Sequence, residues 1–307
     1  MLVYSLMLAL AQSSAAPPQA LAPRTVGQFQ MAYPFPSANG STVVFQGNFD
    51  GRWQLYEMKA ADGTIRRLHV SPKDDTHPAL SPDGRQLAFI SNRDGNDDVW
   101  LLDLASGAAR VVAPHPGKDG HPKWSPDGRR LLFNRTFDPN DKGGDSDSAI
   151  VQVAVASGPV EVLSDTPYVE TFASYSPDGR SIAFVEWFAD AAGERNRNGE
   201  IVVVDLSTKA RRNVTNSPEF DAYPFWGAAG WIYFSTVFAA PTGREAVLSR
   251  VRGEGGPVER IGAVDGASEM RGIPTADGRS VWFNRMEGGR VLIFRQELPL
   301  TPPQTED

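Results

Sequence analysis

The chain has 307 residues, 41% of them hydrophobic, which is enough for one sizeable buried core. Its formal net charge of −7, without any Lys/Arg cluster, argues against a nucleic-acid partner. The absence of cysteine excludes disulfides, thiolate metal sites, a cysteine nucleophile and lipid attachment through Cys.

The first eleven residues form an apolar run too short to cross a membrane. It ends in Ala9-Leu10-Ala11, a small-residue cleavage pattern, with Ser13-Ser14-Ala15 as a second one, so residues 1–15 read as a secretory signal. The n-region lacks the usual Lys/Arg. A periplasmic or secreted mature chain without an integral membrane segment is the expectation.

From Ser37 onward one phrase returns six times. It is strongest as Ser81-Pro82-Asp83-Gly84-Arg85, Ser125-Pro126-Asp127-Gly128-Arg129 and Ser176-Pro177-Asp178-Gly179-Arg180. Weaker copies close on Gly40, Gly230 and Gly278. Pro presets φ at the second turn position, Asp tolerates the third, and Gly takes the positive φ that closes a hairpin. By subtraction the closing glycines stand 44, 44, 51, 51 and 48 residues apart, a period of propellers or solenoids. Each period holds about four short strands and no helical pattern. The expected fold is therefore all-β: a single six-bladed β-propeller of four-stranded antiparallel blades over residues 16–300, with a tail at 301–307.

The ends of the chain bear on closure. Blade-ending strands finish at Leu68, Val112, Leu163 and Val214, each 16 residues before the next turn glycine, and counting 16 back from Gly40 reaches Arg24. The last repeat offers three strands and then the proline-rich 298–303. Residues 19–24 are thus expected to supply the missing strand of the last blade, their prolines being tolerable on an outermost edge.

In such a ring the turn glycines lie on one face, and the blade connections and second-to-third-strand loops on the other. The extra length of the later repeats falls in the loops 136–148, 187–199 and 237–245, all on that second face. Long loops on a rigid scaffold are where binding usually resides.

The stretches His121-Pro122-Lys123-Trp124-Ser125-Pro126-Asp127-Gly128-Arg129 and Ser91-Asn92-Arg93-Asp94-Gly95-Asn96 resemble the WD40-like repeats of the TolB propeller family. The latter runs on to Asp98-Val99-Trp100-Leu101-Leu102-Asp103, which is part of the same likeness. The resemblance implies a six-bladed propeller in a periplasmic or secreted home. It covers the propeller part only: there is no room before Gln30 for the N-terminal α/β domain of TolB, so a Tol-Pal role does not carry over.

Nine residues before the turn glycines stand Asp75, Asp119, Glu170, Asp221 and Glu269, with Met31 in the first repeat. Cross-strand arginines are expected for three of them, Arg93, Arg135 and Arg285. Glu170 faces Glu186 instead, and Asp221 faces Ser235 or Thr236, so neither is expected to gain an arginine from its own blade. Two close carboxylates repel unless one protonates or a cation joins them. With Tyr168, Trp187, Phe188 and Tyr223 nearby, Glu170, Glu186 and Asp221 suit a cationic side chain, an amine or Ca²⁺. The competing expectation is Glu186 in solvent or paired with Arg195 or Arg197. Residues 138–147 have a calcium-loop composition without EF-hand spacing, favouring a solvated loop. His77 and His121, equivalent in adjacent repeats, read as packing residues rather than metal ligands.

The chain has no G-x-S-x-G elbow, Gly-rich phosphate loop or zincin helix. The expected function is a non-enzymatic scaffold binding a protein or peptide at the loop-rich mouth over the third to fifth blades, with no catalytic residue and no required cofactor. The alternative is a hydrolase or lyase in the same mouth, with Glu170 and Glu186 as acid and base and Ca²⁺ assisting. Membership of an envelope complex is a third reading.

Overall fold

The computed structural model describes residues 19–20, 30–137, 148–164, 166–189, 195–241 and 243–298, with the backbone alone for 19–20, 188–189 and 195–197. The signal over 1–15, the 138–147 loop, the 301–307 tail and the side chains of Phe188, Arg195 and Arg197 lie outside that description.

The strands form six antiparallel sheets of four, each ordered as in the sequence except the last. The innermost strands are Met31–Pro36, Asp75–Leu80, Asp119–Trp124, Val169–Tyr175, Phe220–Trp226 and Glu269–Pro274. In the sixth blade the outer place is taken by Gln19–Ala20, paired antiparallel with the third strand through Gln19↔Arg295 and Ala20↔Phe294. First and last segments of the chain therefore share one sheet and latch the ring, but Ala20 takes the place that Arg67, Val111, Val162 and Asn213 hold in the other blades, three residues earlier than the 16-residue register implies; residues 21–24 lie outside the description.

The repeated phrase builds its turn through side chains as well as φ. Gly128 sits at φ +70°, and Ser125 Oγ donates to Asp127 Oδ1 at 2.6 Å while accepting from Arg130 N at 2.9 Å. The same serine–aspartate lock recurs at Ser81–Asp83, Ser176–Asp178 and Thr275–Asp277. Blade 5 replaces it with Gly227-Ala228-Ala229-Gly230, one residue shorter: Gly227 N reaches Trp231 O where Ser125 N reaches Arg130 O. This shift puts Phe234 into the aromatic series Phe45, Phe89, Phe133, Phe184 and Phe283, all fully buried between blades. No helix among the described residues is long and apolar enough to cross a membrane.

Candidate functional site

All five inner-strand acids are buried, and their partners decide what they can do. Arg93 grips both oxygens of Asp75 at 2.9 Å, Arg135 holds Asp119 at 2.7 and 2.9 Å, and Arg285 holds Glu269 at 2.7 Å. These three pairs are the expected cross-strand locks. Burial still pushes Asp119 up to about 6 against the pull of Arg135.

Glu170 and Glu186 face each other in register, as expected, but they do not await an outside cation. Arg211, from the outer strand of the same blade, donates to Glu170 Oε1 at 3.3 Å, to Glu186 Oε2, and to Ser164 Oγ at 2.5 Å. The expectation that blade 4 lacks an arginine is thereby corrected. Strand pairing identifies only partners directly across, whereas Arg211 arrives from two strands further out. Its guanidinium also lies 5.4 Å from the Phe184 ring centroid, much as Arg135 lies 5.2 Å from that of Phe133. Burial raises both glutamates above the usual carboxylate range, Arg211 opposing it in each case. Glu170 Oε2 is buried without a partner.

Asp221 pairs with Thr236, whose Oγ1 donates to Oδ1 at 2.8 Å, while Oδ2 is buried and unpartnered. Burial first, then the nearby Glu200 charge, push its carboxyl up to about 7. Glu200 itself accepts from Thr215 Oγ1 at 2.5 Å, and from Ser217 N and Asn198 Nδ2 at 3.1 Å each. The expected residues thus do not gather in one place. Glu170 and Glu186 share Arg211; Asp221 lies one blade on; Trp187 packs on Phe220 at 4.6 Å and donates to Thr171 Oγ1 at 3.2 Å. Tyr168 is half-buried beside Thr166, which accepts from its backbone N–H at 3.3 Å. No group of three or more His, Asp or Glu side chains able to hold a metal occurs among the described residues.

Tyr223 belongs elsewhere, to a ring around the propeller axis. Each inner strand carries a register shift two residues after its acid, or after Met31 in the first, and the first bulged residue adopts positive φ: Tyr33 (55°), His77 (52°), His121 (56°), Phe172 (60°), Tyr223 (59°) and Arg271 (60°). These six side chains close a circle. Ring centroids are 4.2, 4.3, 4.2 and 4.4 Å apart from Tyr33 through His77, His121 and Phe172 to Tyr223. Arg271 completes it, 4.2 Å from the Tyr223 centroid and 4.1 Å from that of Tyr33. The bulges release backbone N–H groups, and the preceding blade supplies acceptors: Gln46 for His77 at 2.8 Å, Asn284 for Tyr33 at 3.0 Å, Ser235 for Arg271 at 3.1 Å. Burial and neighbouring cations hold His77 and His121 well below the usual histidine range, His121 at about 3, so both are neutral packing residues.

Beneath the ring, on the face bearing the turns, a funnel of about 340 Å³ opens to solvent. Its wall is mostly apolar, with Phe35, Trp124, Phe225, Trp226 and Ile273, and its rim is the repeated phrase itself, including Pro82, Pro126 and Pro177. Lys123 lies in its floor. This is the face opposite the long loops. On the loop-rich face a shallower groove of about 260 Å³ lies between blades 4 and 5, lined by Asn198, Phe220, Phe238 and Arg244 among others. Glu170, Glu186 and Asp221 line neither cavity.

A family model described as the TolB beta propeller domain matches residues 22–186. No curated protein matches the chain. Among solved structures, TolB from Acinetobacter baumannii is 20% identical with a TM-score of 0.62 over 89% of this chain and 65% of that one. An oligogalacturonate lyase from Vibrio parahaemolyticus is 14% identical with a TM-score of 0.61, covering 92% and 93%. A gluconolactonase from Xanthomonas campestris is 13% identical with a TM-score of 0.67, covering 93% and 91%. At these identities the likeness is one of fold, and the fold carries both binding proteins and enzymes.

Proposed function

Because the chain belongs to the TolB β-propeller domain family, we propose that it acts as a non-enzymatic binding propeller. It takes an extended, largely apolar segment of a protein partner into the axial funnel on its turn face. The observation that carries this reading is the funnel: an open cavity at the centre of a rigid ring, walled by aromatic side chains and free of carboxylates. A wide apolar wall with few polar groups suits side-chain capture better than acid–base chemistry. The enzymatic alternative is supported by the convergence of Glu170 and Glu186 with raised affinity for protons, but both carboxyls are sealed under Arg211 and almost unexposed, at 0% and 5%. A general acid or base must reach its substrate.

The loop-rich face keeps a secondary place in the proposal. There Tyr168 and the Trp187–Phe220 stack, beside the groove between blades 4 and 5, offer aromatic contacts for a separate protein surface. A periplasmic or secreted home, within an envelope assembly, is proposed from the apolar leader and the family.

The test is selection of peptides from a displayed random library against the full-length protein, repeated on Phe225→Ala and Phe35→Ala. Selected peptides should bind wild type and lose about tenfold or more in affinity on either variant, since truncating a buried aromatic contact costs on the order of 1–2 kcal/mol. Peptides indifferent to both substitutions would place recognition elsewhere.

A further inference from the structure

Near the axis of this acidic protein stand two half-buried cations without a carboxylate partner. Among the described residues neither Lys123 nor Arg271 forms an ion pair. Lys123 Nζ has only the carbonyl of Pro122 at 3.4 Å, and Arg271 rests between the Tyr33 and Tyr223 rings with Nη2 donating to Tyr223 Oη at 3.1 Å. Arg271 Nε is buried and has no acceptor. By contrast, Arg93, Arg135, Arg211 and Arg285 are each paired with a buried inner-strand acid. Both line a small cavity of about 40 Å³ directly under the aromatic circle, which shares Lys123, Phe225 and Ile273 with the funnel.

We propose that the funnel floor is a carboxylate subsite, in which Lys123 and Arg271 together receive the carboxylate of an apolar partner segment whose side chains line the aromatic wall. The inference rests on the funnel being the binding site and adds the charge of the occupant. Charge complementarity supports it. A buried guanidinium N–H without an acceptor and a half-buried ammonium without a counterion are each costly, and one anion would relieve both. The neighbours facing Lys123 are Arg271, the neutral His77 and His121, and the rings of Tyr33 and Tyr223, and none of them is a carboxylate. Burial and the charge of Arg271 bring Lys123 down to about 8, whereas burial pushes the Tyr33 phenol up. Between pH 7 and 9 Lys123 therefore loses its charge.

The experiment titrates the full-length protein with N-acetyl-phenylalanine and with its C-terminal amide, by nuclear magnetic resonance at pH 7 and pH 9. The acid should bind at least fivefold more tightly than the amide at pH 7, and that preference should shrink at pH 9. Lys123→Met should reduce the preference to within twofold, and Lys123→Arg should retain it at both pH values. Equal binding of acid and amide would overturn the carboxylate subsite while leaving the funnel as the binding site. Binding of neither probe would overturn both. A preference that survives Lys123→Met unchanged would also sink the proposal.

Discussion

Arg211 shows how much a single side chain can alter the reading of a site. Two glutamates in register look like a cation trap, and a guanidinium from the outer strand has already filled it. Breaking such a pair leaves like charges buried together, so Arg211→Met should destabilise the protein by about 2 kcal/mol at pH 7. That is below the roughly 3–5 kcal/mol of fully buried pairs, because Arg211 is 34% exposed. The cost should shrink at pH 4–5, where a glutamate can protonate, and urea midpoints at the two pH values check this. Asp221 carries the opposite sign of lesson. Its folded carboxyl titrates at about 7, above the unfolded value near 4, so the native state binds the extra proton in between. Stability should fall as pH rises from 4 to 7 and stay low above, by up to about 1.4 kcal/mol per pH unit. In Asp221→Asn that slope should flatten, leaving the variant more stable than wild type at pH 8. A variant that parallels wild type at every pH would count against this account. The three arginine locks of blades 2, 3 and 6 were legible in the sequence because cross-strand distance is fixed by the turn. Arg211 was not, because reach across a blade depends on side-chain rotamers that spacing does not encode.

At the scale of the strand and turn, periodicity did most of the work. The Ser-Pro-Asp-Gly phrase specifies its hairpin chemically, and even the short turn of blade 5 keeps the pattern by moving Phe234 one place closer to its glycine. What the pattern concealed is the bulge. A residue in the left-handed region inside a strand carries no signature of its own, and His77, His121 and Tyr223 were visible only as separate features until Tyr33, Phe172 and Arg271 joined them. The bulge makes a prediction that inverts an ordinary strand rule. At Phe172, with φ of 60°, Phe172→Gly should be less destabilising than Phe172→Ala, by a few tenths to about 1 kcal/mol. Equilibrium denaturation of the two variants settles the order, and Ala above Gly would mean that the strand relaxes out of the bulge.

At the scale of the whole ring, closure unites both ends of the chain. A three-stranded sixth blade would expose the outer edge of its third strand and remove the latch at Arg295 and Phe294. Deleting residues 1–24 should accordingly lower Tm by several degrees, at about 2–4 °C per kcal/mol lost for a chain of this class. An unchanged Tm would mean that the ring holds without the strand. The sequence made this closure readable because a fixed period exposes a missing member at one end and a surplus one at the other. It could not reveal which mouth is deep, since loop length marks the face that is decorated, while depth depends on where six side chains meet.

That meeting has a further consequence. Stacked at contact distance, Tyr33, His77, His121, Phe172, Tyr223 and Arg271 leave the propeller with a bulkhead instead of a bore. Among the described residues this circle stands between the funnel on the turn face and the groove on the loop-rich face. On the proposed reading, a segment held in the funnel and a second molecule resting on the loop-rich face would lie on opposite sides of that bulkhead, neither competing with the other for space.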